Sequence, residues 1–74
     1  MDVQETANKI AKNELIVLMK KLETQFYEAA KDTVKFVQGN SSAGTRARKA
    51  MQNIKSLAQE VRVKVQKQKN SVTV

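Results

Sequence analysis

The sequence predicts an all-α protein, a two-helix antiparallel hairpin, and three observations carry that expectation. There is no Pro anywhere in the chain. The only two Gly, Gly39 and Gly44, bracket its one cluster of turn-forming residues, Asn40-Ser41-Ser42-Ala43. On both sides of this break the chain is rich in Ala, Lys, Gln, Glu, Leu and Met, which favour helix. One break between two long helical segments makes a helical hairpin.

In the first segment Ala11, Leu15, Leu18, Leu22, Phe26, Ala29, Thr33 and Val37 form a stripe. Their spacing is close to the helical period of about 3.6 residues. It predicts a first helix from about Glu5 to Gln38, some 50 Å long at ~1.5 Å per residue. Gly39 or Asn40 suits the left-handed residue that ends a helix. Ile16, Met19, Tyr27 and Phe36 fall off the stripe, and two helices cannot cover them all. Apolar surface of this kind marks a partner interface, so two hairpins are expected to dimerise into a four-helix bundle.

After a loop at 39–42, the second helix is expected from about Ala43 to Lys67. Ala47, Met51, Ile54, Ala58, Val61 and Val65 mark its apolar face, widened by Ala50 and Leu57. Ser41 or Ser42 is the expected N-cap, since a hydroxyl can accept the orphan amides that follow. Val61-Arg62-Val63-Lys64-Val65 alternates like a strand, but a single five-residue strand has no partner here, so it is read as helix. The hairpin therefore fills residues 1–69, and 70–74, which lack periodicity, are expected to fray as a flexible tail.

Composition narrows the function. Seventy-four residues make at most one domain, and a chain this short buries only about 60% of its unfolded surface. Such domains need a staple. With no Cys and no His, disulfides and the usual zinc sites are excluded, which leaves oligomerisation, or exceptionally long helices packing together, as the expected source of stability. There is no phosphate-cradling Gly-rich loop. The acids of the first helix alternate with Lys, as in Glu28–Lys31 and Asp32–Lys35, and read as solvated ion pairs. No enzyme, metal or cofactor is expected. The longest apolar run, Leu15 to Met19, is far below the ~18–20 residues that span a bilayer, and no basic leader precedes it. A soluble protein inside the cell, or packaged in a particle, is expected, with no membrane partner.

The net charge is +7, and its distribution says more than its sum. Residues 1–38 carry six Lys against six acids, whereas residues 39–74 carry eight basic residues against Glu60 alone. Arg48, Lys55, Arg62 and Lys69 recur every seven residues, a ridge that drifts only ~20° per heptad along one border of the apolar stripe. Arg46 and Lys64 lie along the other border, with Lys49 and Lys67 facing outward. A rod carrying cations about 10 Å apart can meet successive phosphates of double-stranded DNA, each contact releasing counterions. Base reading is not indicated by any docking motif, and the basic half has no aromatic residue for stacking. Ser42, Gly44 and Thr45 form a candidate phosphate site at the helix start, where free amides and the helix dipole point outward.

The stretch Gly39-Asn40-Ser41-Ser42-Ala43-Gly44-Thr45-Arg46-Ala47-Arg48-Lys49-Ala50, followed by Ile54-Lys55-Ser56-Leu57-Ala58-Gln59-Glu60-Val61-Arg62, resembles the short bacterial histone-like proteins related to the chlamydial linker-histone-like DNA-condensing protein. The preceding Phe26-Tyr27-Glu28 is similar as well, and the resemblance covers about Leu15 to Lys69. It implies DNA binding without sequence specificity and compaction of a nucleoid or packaged genome, through Arg46, Arg48, Lys49, Lys55 and Arg62. The long Lys/Ala-rich tail of the chlamydial protein has no counterpart here, so bridging by a dimer is expected to replace it. The competing expectation is a structural hairpin that self-assembles or docks in a larger particle such as a virion, favoured by the surplus apolar surface of the first helix. A third, an amphipathic helix on a membrane surface, is weak because the second helix lacks bulky apolar anchors.

Overall fold

The computed structural model describes residues 13–72. They form two α-helices, α1 (Glu14–Val37) and α2 (Ser41–Val72), joined by three residues and packed antiparallel. Among the described residues there is no strand, and the alternating segment 61–65 is helical.

Local chemistry sets the helix ends. Asn13 caps α1: its backbone is extended (φ −64°, ψ 134°) and its Oδ1 accepts from the Leu15 amide at 2.8 Å. The expected start near Glu5 lies outside the described residues. At the other end Gly39 takes φ +106°, a conformation that costs an L side chain but not glycine. The Gly39 amide donates to the Phe36 carbonyl and the Asn40 amide to the Lys35 carbonyl, at 2.9 and 3.0 Å. This pair of bonds is a Schellman ending. Asn40 then serves twice, because its side-chain Oδ1 accepts from the Ala43 amide at 3.1 Å and caps α2. The cap is thus Asn40 rather than Ser41 or Ser42, and α2 begins at Ser41, two residues earlier than expected. It also runs on to Val72, through part of the segment expected to fray.

Between the helices the seam follows a heptad rule. Leu15, Leu18, Leu22, Gln25, Ala29 and Asp32 of α1 are buried or half-buried, at alternating steps of three and four residues. Ala47, Ala50, Ile54, Leu57, Val61 and Lys64 answer them on α2 with the same steps. That is the spacing of a coiled-coil seam, period 3.5, and not of a straight 3.6-residue stripe. Leu18, Ala29 and Ala43 are buried outright. Alanines fill the seam near the loop, while Leu, Ile and Val fill it toward the open end.

The heptad seam corrects the expected faces. Phe26 and Val37, placed on the apolar stripe from sequence, are 63% and 80% exposed. Met51 and Val65 of α2 are exposed too. The α1 stripe steps by about 3.7 residues on average and the α2 stripe by about 3.6, so both rotate out of a 3.5-residue seam as they advance. Gln25 and Asp32 take the vacated seam positions.

Two ion pairs fix the register. Asp32 Oδ1 meets Arg46 Nε at 3.2 Å near the loop, and Glu14 Oε2 meets Lys64 Nζ at 3.1 Å near the open end. Eighteen residues separate the two acids and eighteen separate the two bases, so the helices run past one another without slip. Asp32 therefore pairs across the hairpin and not with Lys35, whereas Glu28 and Lys31 do pair within α1 at 3.4 Å.

Candidate nucleic-acid interface

All eight basic residues expected to meet DNA lie on α2, but packing against α1 divides them. Arg46 and Lys64 flank the seam and are held by Asp32 and Glu14. Both pairs are partly solvated, worth little to stability, yet they occupy the two bases with carboxylates. Arg48, Lys55 and Arg62 are exposed on the other flank of α2 and form no ion pair among the described residues. Lys69 continues that line. At about 1.5 Å per residue, these cations stand roughly 10 Å apart. Lys49 and Lys67 face solvent on the side nearer Arg46 and Lys64.

The two broad faces of the hairpin therefore differ. One carries the ion pairs and a mixture of charges. The other carries Met19 and Phe26, exposed apolar residues of α1, whereas exposed Val17 lies with Lys21, Thr24, Gln25 and Leu57 on the opposite side. Ile16, Met19 and Phe26 line a groove there with Ile54 of α2. Leu22 completes its apolar lining, with Lys20 and Glu23 as the charged residues that line it. Arg48, Lys55 and Arg62 border this same face from α2, because residue 55 follows Ile54 by about 100° around the helix.

The start of α2 is organised by packing. A Cβ on Gly44 would stand 2.5 Å from Cδ2 of Phe36. The bare Cα of Gly44 thus receives the Phe36 ring, the contact that seats the end of α1 against the start of α2. Ser42 and Thr45 are exposed beside it, and the Ala43 amide is already taken by Asn40.

Sequence reasoning passed over the glutamines. Gln52, Gln59 and Gln66 each follow a ridge cation by four residues, so a unit of cation, then Gln four residues on, repeats three times at a seven-residue interval. Gln52, Lys55, Ser56, Gln59 and Arg62 line a shallow groove along the outside of α2. The signal was available as an internal heptad repeat.

Among the described residues no group of His, Cys, Asp or Glu could hold a metal ion, and no helix is long and apolar enough to cross a membrane. The sequence model of the family described as Histone H1-like protein Hc1 matches residues 17–71, well over half of the chain and nearly all of both helices. No curated protein and no solved structure matches the chain.

Proposed function

The chain belongs to the family described as Histone H1-like protein Hc1, and from that premise we propose that it is a non-enzymatic, histone-like protein that binds double-stranded DNA with little regard to sequence and helps compact a bacterial or phage genome. The observation that carries this reading is the ridge of Arg48, Lys55 and Arg62, exposed, regularly spaced and without ion-pair partners among the described residues. Acids pair with Lys31, Arg46 and Lys64 on this hairpin, whereas Arg48, Lys55 and Arg62 meet none among the described residues. Phosphate contacts fix a protein on a duplex without reading it.

Compaction needs more than one DNA-binding edge per particle. The exposed apolar face around Met19 and Phe26 supplies the means, because a second hairpin packed on it would complete a four-helix bundle. Helix α2 of each hairpin would keep its outer edge in solvent, giving two duplex-binding edges that bridge segments of DNA.

Duplex titrations at two salt concentrations test the reading. Reversing Arg48, Lys55 and Arg62 to Glu is expected to abolish binding with helicity unchanged, while reversing Lys20, Lys21 and Lys31 does much less. The log–log salt slope should reach about 0.9 per phosphate neutralised. A shallow slope, or equal losses from both sets, would refute DNA as the partner. The second reading, a structural hairpin that self-assembles or docks in a larger particle, would then explain the apolar face of α1 by itself.

A further inference from the structure

The side of α2 that points away from α1 has a layered cross-section. At about 100° per residue, Gln52, Ser56, Gln59 and Val63 make its leading edge, opposite the seam residues Ile54 and Val61. Arg48, Lys55 and Arg62 stand on one flank of this edge, and Lys49 and Lys67, with Glu60 between them, on the other. All of them are exposed. Gln52 and Gln59 make no hydrogen bond among the described residues, so both carboxamides offer two donors and an acceptor to a ligand. The groove along this edge is lined by these glutamines together with Lys55, Ser56 and Arg62.

A helix with its side chains is about 10–12 Å across. It enters the major groove of B-DNA, about 12 Å wide, and not the minor groove of about 6 Å. A helix lying in the major groove has phosphate strands on both sides and base edges beneath it. Cations on both flanks and uncharged amides on the leading edge match that section. Glutamine pairs bidentately with the N7 and N6 of adenine, and an apolar side chain packs on the thymine methyl group. Gln52 and Gln59 fit the first role, and Val63 fits the second.

We propose that this edge of α2 lies in the major groove and biases the protein toward A·T-rich duplex. Binding energy still comes from the phosphates, and the bias is modest. It rests on the reading of the protein as a DNA-binding one. The repeat of cation and Gln at seven-residue steps brings one pair after another to the same edge, so any register along the duplex presents at least one carboxamide to the bases.

Fluorescence anisotropy with the full chain tests it, using duplexes of about 20 base pairs of alternating A·T, A·U and I·C sequence at one salt concentration. Inosine lacks the 2-amino group, so I·C looks like A·T in the minor groove and like G·C in the major groove. We expect A·T to bind about 5- to 10-fold tighter than I·C, at the low end of the discrimination of one bidentate pair. A·U should fall between, for want of the methyl group. Gln52→Ala with Gln59→Ala should bring the A·T to I·C ratio near one while leaving helicity and salt slope unchanged, since Ala favours helix. Equal binding of I·C and A·T overturns the proposal, as does a preference that survives the two substitutions. So does a variant whose self-association changes in place of its discrimination, which would mark the edge as a contact between proteins. If every duplex binds equally with a steep salt slope, the groove reading fails and phosphate binding stands. If none binds, both fail.

Discussion

The contact between Phe36 and Gly44 gives two substitutions whose combined effect changes sign. Gly44 lies in the first turn of α2, where replacing Gly by Ala ordinarily stabilises a helix by about 0.5–1 kcal/mol. Here the new methyl would collide with the Phe36 ring, 2.5 Å from Cδ2. Phe36 is 53% exposed, so the ring can swing out rather than force the helices apart. Swinging out forfeits its buried half, roughly 100 Å² of the 150–250 Å² such a side chain buries. At about 25 cal/mol per Å² this is about 2.5 kcal/mol. Gly44→Ala is therefore expected to destabilise by about 1.5–2 kcal/mol, the loss exceeding the gain in propensity. With the ring removed by Phe36→Ala, the same Gly44→Ala change should stabilise by about 0.5–1 kcal/mol. Urea unfolding followed by circular dichroism, at one fixed protein concentration, measures the four corners of this cycle. Equal effects of Gly44→Ala in both backgrounds would refute the reasoning, because the ring would then impose nothing on the glycine.

Other expectations follow from the caps, the ion pairs and the apolar face. Gly39→Ala should cost about 1 kcal/mol, since φ +106° strains any L side chain, and thermal unfolding reads it directly. Asn40→Ala should cost a similar ~1 kcal/mol by removing the cap of α2, whereas Ser41→Ala should be nearly silent. Asp32→Asn should weaken the hairpin by no more than about 1 kcal/mol, because the pair is partly solvated. The same change releases Arg46, so duplex affinity should rise and the salt slope should steepen by up to about 0.9. Unchanged affinity would mean that Arg46 lies out of reach of the phosphates. Phe26→Glu should leave each hairpin folded but shift sedimentation toward the monomer, and a folded wild-type monomer at tens of micromolar, roughly the range where weak dimers of this size associate, would remove the case for a bundle.

The hairpin itself was legible because its break is chemically singular. Gly39 supplies the left-handed residue and Asn40, which follows it, supplies the capping side chain of the next helix. The faces were only partly legible. A stripe chosen by apolar identity runs through Phe26, Thr33 and Val37, while the helices meet along Gln25, Ala29 and Asp32. Periodicity in one helix cannot reveal this, since the seam is a property of two helices that wind about each other. It does show in the pairing of charges. Asp32 and Glu14 lie at intervals that match Arg46 and Lys64, and that register alone would have placed the seam between them.

The binding edge was legible to the extent that charge alone defines it. Counting bases against acids finds α2 and counts eight candidates alike. What separates them is the neighbouring helix, which brings a carboxylate to Arg46 and another to Lys64 and none to Arg48, Lys55 or Arg62. The apolar residues left outside the seam follow from the same geometry. A helix that repeats apolar residues at about 3.7 but packs at 3.5 must expose part of them, and on α1 Phe26, so exposed, lies on the face that Arg48, Lys55 and Arg62 border. The mismatch of periods thus sets an adhesive surface beside a cationic ridge on one hairpin. A cation ridge needs no such mismatch, and an interface needs no ridge. On the proposed function, their adjacency would couple association to DNA binding, because each copy added to the apolar face would bring another cationic edge to the same particle.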